Sequence, residues 1–324
     1  MTEVTKNLML FSGRSNPVLA EKIAAKLEVE LGSIKITSFS NDEIYARYGQ
    51  NVRGGDLFLI QSISSWEQGS VNDSLMELLI MADAAKRASA HSVTAVITHF
   101  GYSRQDKKSA SREPITAKLV ANMLTTAGIT RVITLDLHQG QIQGFFDIPV
   151  NHLTALPIFA NYYMAKELDN LCVVSPDVGR AKAAKKLADM LDADLAIMHK
   201  SRPAHNVAEV SNVIGDVRGK NCIINDDIID TGGSISIGVE ALKSKGAANV
   251  YICATHGLFS GSAFERLNNA DVVEVIVCDT VPVSPQHQNE KIKVVSIAPL
   301  LAQAISNVFN DLSVSELFDP DFAL

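Results

Sequence analysis

Short apolar runs alternate along the chain with longer stretches in which apolar positions recur at helical spacing. Runs at 7–11, 34–39, 56–60, 92–97 and 131–135 have the length and the β-branched or aromatic content of buried strands. Between them, 17–31 and 71–89 read as helices, the second with Leu75, Leu78, Leu79 and Ala82 on one face. After Pro149 the same pattern restarts, with strands expected at 172–174, 194–198, 222–224, 250–254 and 272–278. Strands that alternate with helices imply βα units and parallel pairing. The expected fold is α/β, with two similar doubly wound domains and mainly parallel sheets, at 1–150 and 151–324. A last helix at 299–309 is expected to cross back to the first domain.

Composition agrees with two domains, because 324 residues exceed one typical core. Hydrophobic residues make up 47% and charged residues 20%, an ordinary globular balance. The net charge of -7 argues against a general grip on nucleic acid or on an anionic membrane. A local cluster of bases is therefore expected to serve a local anion. No apolar stretch reaches spanning length and no secretory signal pattern opens the chain, so a cytoplasmic location is expected. Cys172, Cys222, Cys253 and Cys278 sit in or beside apolar runs without CxxC spacing, which reads as buried thiols.

The strongest chemical signal is Cys222-Ile223-Ile224-Asn225-Asp226-Asp227-Ile228-Ile229-Asp230-Thr231-Gly232-Gly233-Ser234, ahead of a helical pattern. It reads as strand, acidic pair, tight turn and helix. A helix N-terminus behind glycines offers free N–H groups to a phosphate, and Thr231 and Ser234 add hydroxyl donors. Adjacent carboxylates would repel a lone phosphate but suit vicinal sugar hydroxyls or a bridging cation. A plain turn with Asp230 as helix cap is the competing reading. A second segment, from Gly101 to Pro114, carries Arg104, Lys107, Lys108 and Arg112 in a polar loop after a strand. Charge alone would make it a solvated surface loop.

The two segments together carry a resemblance. The first resembles the phosphoribosyl-diphosphate loop shared by phosphoribosyltransferases and the enzymes that make their substrate. The second, Tyr-Ser-Arg-Gln-Asp-Lys-Lys followed by Ser-Arg-Glu-Pro-Ile-Thr-Ala-Lys, resembles the signature of ribose-phosphate diphosphokinases, also called phosphoribosyl-pyrophosphate synthetases. The resemblance extends over nearly the whole chain and implies a phosphoribosyltransferase-like fold. It implies transfer of the β,γ-diphosphate of ATP to the C1 hydroxyl of ribose 5-phosphate, with Mg2+ as cofactor and AMP as second product.

Residue by residue, the resemblance implies ATP binding by Phe39, Asn41, Asp42 and Glu43 and by Arg104 and Gln105. Ribose 5-phosphate falls to Asp226, Asp227, Asp230, Thr231, Gly232, Gly233 and Ser234, with Arg202. Lys200 and Arg202, in a basic segment after a strand, become the catalytic cations. The stretch Asp136-Leu137-His138-Gln139 places His138 at a metal site, and Ser175-Pro176-Asp177 adds Asp177 as a second position. Without the resemblance, His138 would read as a polar spectator and Asp177 equally as a helix cap. The resemblance also implies a homohexamer and regulation by phosphate and ADP at Arg53, Ser313, Ser315 and Phe318.

No GxxxxGK[ST] motif is present, so the nucleotide is not expected on a P-loop. Departures from the family pattern are Arg180, where a second glycine is common, Asn225 in place of an apolar strand residue, His99 in place of proline, and the weakly charged Ser109-Ala110. A phosphoribosyltransferase and a silent regulatory relative are the rival readings. The Arg104–Lys108 loop argues against the first, and intact His138, Asp177, Lys200 and Arg202 argue against the second.

Overall fold

The computed structural model describes residues 6–204, 207–287 and 289–318; the side chains of 200–204, 207–211, 286 and 318 lie outside that description. The chain forms two compact units. The first holds the described residues up to Thr154 together with Thr280–Pro282 and Ser296–Phe318; the second holds Ala155–Asp279 and Val283–Val295.

The first unit begins with β1 (Leu8–Ser12), α1 (Pro17–Leu27) and a ribbon of β2 (Ile34–Ser38) and β3 (Ile44–Tyr48). It continues with β4 (Asp56–Gln61), α2 (Val71–Arg87), β5 (Ser92–Ile97), α3 (Thr116–Ala127), β6 (Arg131–Leu135) and β7 (Val150–Leu153). Strands β1, β4, β5, β6 and β7 pair in that order as one parallel sheet, and β2 pairs antiparallel with β3. Period-two alternation sorts the sheet's side chains. Phe11, Leu57, Leu59, Val93, Ala95 and Ile97 share one core with Leu78 and Met81 of α2 and with Val120 and Leu124 of α3. The intervening Leu10, Phe58, Ile60, Val96 and Ile133 are buried too, so both faces are covered.

Local chemistry sets the helix ends. Asn16 caps α1 by accepting the Leu19 N–H at 3.4 Å, and Pro17 occupies the first turn, where its missing N–H costs nothing. On α2, Ser70 and Asp73 form a reciprocal capping box. These Ser70 hydrogen bonds hold the Asp73 carboxyl below its ordinary range.

The second unit contains α4 (Leu156–Met164), β8 (Leu171–Ser175), α5 (Ala181–Met190), β9 (Asp194–Ala204), β10 (Val207–Ile214), β11 (Asn221–Ile229) and α6 (Gly233–Ser244). It ends with β12 (Asn249–Gly257), α7 (Ala263–Asn269), β13 (Glu274–Cys278) and β14 (Ile292–Val295). The sheet order is β10-β9-β8-β11-β12-β13-β14, parallel throughout except for β10 against β9. From β8 the chain adds β9 on one side and later returns to place β11 on the other. The strand order therefore reverses between β8 and β11, the position where open α/β sheets bind ligands.

Three expectations need correction. The helix α8 (Ala298–Phe309) crosses back to pack against α1 in the first unit, as expected, but the second domain therefore does not run unbroken through 151–324. Its apolar stripe, Leu300, Leu301, Ala304 and Ile305, is fully buried there. The basic segment read as a turn after a strand is strand: β9 runs on to Ala204 because β10 folds back on it. The acidic pair read as following a strand lies inside β11, because pairing with β12 continues from Asp226 opposite Ala254 to Ile229 opposite Gly257. All four cysteines are buried thiols.

Candidate active site

In the first unit the candidate nucleotide residues sit on two loops. The β2–β3 ribbon turns through Phe39–Glu43, closed by Phe39 N–H to Glu43 O at 2.8 Å and Asp42 N–H to Phe39 O at 2.9 Å. Asp42 takes a positive φ of 66°, which aspartate tolerates better than most residues. Asn41 Oδ1 accepts the Glu43 N–H at 3.4 Å, so its side chain also supports the turn. Phe39 is 56% exposed and meets Tyr45 edge-on at 5.9 Å. A bare strand-end reading would put this phenylalanine in the core; the ribbon instead displays it to solvent.

The basic loop follows β5. Its root is anchored: Phe100 is buried, Ser103 and Asp106 are buried, and the Ala117 N–H donates to Gln105 O at 3.2 Å. Arg104 is exposed, while Gln105 Oε1 accepts the Thr116 hydroxyl at 2.5 Å. Glu113 closes the outer part, its Oε2 accepting the N–H groups of Ser109 and Ala110 at 2.7 and 2.8 Å. Lys107, Lys108 and Arg112 remain exposed. Pro114 stands just outside α3, whose N-cap is Ile115. His138 follows β6; its neighbour Asp136 accepts the Thr154 hydroxyl at 2.8 Å, and the Leu137 N–H donates to His152 at 2.9 Å.

The first unit also holds a buried network that the sequence did not suggest. Glu77 of α2 has no exposed side-chain surface, yet it accepts the Arg14 N–H and Nε–H at 2.5 Å each and the Gln61 amide at 3.0 Å. Gln61 in turn accepts the Ser15 hydroxyl at 2.6 Å. The Arg14 guanidinium lies 6.0 Å from the Trp66 ring. This network fixes the loop after β1 to the end of β4.

In the second unit, β11 outruns β8: their pairing stops at Ile224 opposite Val174, whereas β11 continues against β12. Asp226 and Asp227 therefore stand beside a gap at the point of strand reversal. Asp226 Oδ1 accepts the Asp227 N–H at 2.9 Å. Burial pushes the Asp226 carboxyl well up, the Asp227 charge adds to the rise, and Arg180 opposes it. Next comes the turn into α6. Gly232 is the helix N-cap at φ 73°, a left-handed position, and no side chain caps the helix. Asp230 is therefore not the cap. The uncapped first turn leaves backbone donors for an anion.

Asp177 follows β8 and turns one oxygen inward, accepting the Arg180 N–H at 3.1 Å. The cap reading of Asp177 therefore holds. Arg180 reaches the acidic pair, its Nε 4.0 Å from Asp226 and 3.8 Å from Asp227. Arg266 of α7 donates to the Thr231 carbonyl at 2.8 Å, a support for the loop that no sequence motif marked. The backbones of Lys200 and Arg202 lie in β9, and their side chains are outside the described residues. Arg53 is exposed, its N–H donating to Asn51 at 3.1 Å; Ser313 Oγ accepts the Ser315 N–H at 3.1 Å; the Phe318 side chain is outside the described residues. Among the described residues no group of three His, Cys, Asp or Glu side chains is poised to hold a metal, and no helix is long and apolar enough to cross a membrane.

Comparison with known proteins gives one result. A family model described as the N-terminal domain of ribose phosphate pyrophosphokinase matches residues 8–128, and the phosphoribosyl synthetase-associated domain matches 202–319. The chain is 51% identical over 319 residues to a ribose-phosphate pyrophosphokinase of Caldanaerobacter subterraneus subsp. tengcongensis, covering 98% of this chain and 100% of the relative. It is 50% identical over 313 residues to the Bacillus subtilis ribose-phosphate pyrophosphokinase, covering 97% and 98%. The crystal structure of phosphoribosylpyrophosphate synthetase from Mycobacterium smegmatis matches with a TM-score of 0.89 at 45% identity, covering 94% of this chain and 100% of that one. With both family models matched in chain order and relatives matched over nearly their whole length, this chain belongs to the ribose-phosphate pyrophosphokinase family.

Proposed function

We propose that the chain transfers the β,γ-diphosphate of ATP to ribose 5-phosphate, giving 5-phosphoribosyl 1-diphosphate and AMP. The observation that carries the reading is in the second unit. An uncapped, glycine-led helix N-terminus adjoins two carboxylates at the strand-order reversal, which joins phosphate recognition to hydroxyl recognition on one loop.

In this reading Phe39 stacks on the adenine, with Asn41, Asp42 and Glu43 at its edge, and Arg104 and Gln105 hold the nucleotide. The α6 turn from Asp230 to Ser234 binds the 5-phosphate, and Asp226 and Asp227 accept the ribose hydroxyls. The C1 hydroxyl oxygen attacks the β-phosphorus while the bond from that phosphorus to the bridging oxygen breaks. The electron pair leaves with AMP, and the hydroxyl proton passes to solvent. Lys200 and Arg202 offset the charge that develops on the oxygens, so the rate comes from positioning and electrostatics.

Asp177 has the donor chemistry of a magnesium site, since Mg2+ binds through one or two carboxylates plus substrate phosphates and water rather than a full protein cage. The lack of a three-residue cluster among the described residues fits that pattern. His138 would contribute through metal-bound water. When bound, Mg2+ supplies charge neutralisation to the phosphate oxygens. A homohexamer in the cytoplasm, with phosphate and ADP acting at Arg53, Ser313, Ser315 and Phe318, completes the reading. Incubation with ATP, Mg2+ and ribose 5-phosphate should release AMP only when the sugar phosphate is present; AMP release at the same rate without it would contradict the assignment.

A further inference from the structure

The acidic pair poses an electrostatic problem. Asp226 and Asp227 are adjacent in β11, Asp227 is buried and Asp226 largely so. An ionised carboxyl offers sugar hydroxyls its full set of acceptor lone pairs, yet burial and mutual repulsion oppose negative charge on both. A positive charge has to be supplied at the gap between β8 and β11. A divalent ion is one source and a side chain is the other.

The chain carries the second source. Arg180 stands at the start of α5, directly after the turn that leaves β8, where the Asp177 side chain accepts its N–H. Its side chain is 14% exposed, and its Nε lies 4.0 Å from Asp226 Oδ1 and 3.8 Å from Asp227 Oδ1. Those separations give ion-pair attraction but exceed hydrogen-bond length, and Nε is buried without a hydrogen-bond partner. This nitrogen therefore lends charge without occupying the lone pairs that hydroxyls would use. A guanidinium also cannot lose its proton in the working pH range, so the charge is permanent.

We propose that Arg180 is the resident cation of the sugar-phosphate site, a positioning residue that offsets the negative charge of Asp226 and Asp227 and makes ribose 5-phosphate binding in the second unit independent of a divalent ion. The proposal rests on the assignment of the β11–α6 loop to ribose 5-phosphate. Magnesium is then needed for the nucleotide phosphates and not for holding the sugar.

The test is calorimetric titration of ribose 5-phosphate into the full-length protein, once with excess EDTA and once with millimolar Mg2+, for the parent, Arg180→Gly and Arg180→Lys. The parent Kd should differ by less than about threefold between the two conditions. For Arg180→Gly the Kd in EDTA should be at least about tenfold weaker than in Mg2+, with Arg180→Lys between them. Mn2+ binding followed by electron paramagnetic resonance should also tighten in Arg180→Gly, because the uncompensated pair attracts the ion. Thermal melts identify a folding defect in Arg180→Gly, in which case Arg180→Met is titrated in its place against the same expectation. Equal Mg2+ dependence in parent and variants would overturn the role of Arg180. No binding by the parent in either condition would instead refute the sugar-phosphate assignment itself, and the inference with it.

Discussion

Arg14→Met should destabilise the first unit far more than loss of a partly exposed arginine would suggest. The reason is Glu77, which has no exposed side-chain surface and takes two of its three hydrogen bonds from Arg14. The Arg14 backbone N–H and the Gln61 amide survive the substitution. The guanidinium charge and its Nε–H donor do not, so a buried carboxylate is left without a counter-ion. Breaking a buried pair in this way costs roughly 3–5 kcal/mol. The lower end, about 3 kcal/mol, applies here because the Arg14 side chain is 31% exposed, so water can enter the vacated space. At about 2–4 °C per kcal/mol for a unit of this size, calorimetry should show its transition lowered by about 6–12 °C. The double variant Arg14→Met with Glu77→Leu should recover most of that loss, because the charge and its partner leave together. A single-variant shift under about 2 °C, or a double variant no better than the single, would refute the argument.

Phe39→Ala should weaken ATP binding by about 5- to 150-fold, the range for losing one stacked base, and leave the melting temperature nearly unchanged because the ring is exposed; equal ATP affinity by titration would remove Phe39 from the site. Gly232→Val forces a β-branched residue to φ 73° at the mouth of the anion site, and it should abolish ribose 5-phosphate binding while ATP still binds. Glu274 should contribute to acid sensitivity: burial works to raise its pKa, but hydrogen bonds from Lys293, Tyr162 and Lys166 outweigh burial and hold the carboxyl below its ordinary value. A depressed carboxyl gives stability that is complete above the unfolded value, near 4.3, and is lost as pH falls through the folded value. Glu274→Gln should therefore flatten the acid limb of a stability-versus-pH curve, and an unchanged limb would count against the network.

Much of the fold was legible because parallel α/β sheets write themselves locally: fully buried strands read as apolar runs, and helices as stripes. The runs at β5 and β6 match to the residue. What failed depended on partners distant in sequence. Nothing near Lys200 announces that β10 will fold back on β9. Asp226 and Asp227 look like turn residues because aspartate is rare in strands; pairing with β12 overrides that preference. The phosphate turn was readable from its glycines. Arg180 was visible as a departure from pattern, but its reach to the acidic pair depends on the β8–β11 gap, a property of strand order. Arg14 and Glu77, 63 positions apart, left no local signal at all.

In the proposed reaction the sugar hydroxyl attacks the β-phosphorus and the diphosphate moves as a unit. Phosphorus NMR of a reaction containing ATP, Mg2+ and ribose 5-phosphate with isotopically labelled C1 oxygen tests it directly. AMP and a C1 diphosphate ester should form in equal amounts, with the label in the bridge between C1 and phosphorus and with Lys200→Ala slowed by orders of magnitude. ADP with a C1 monophosphate, or a product whose bridge has lost the label, would contradict it.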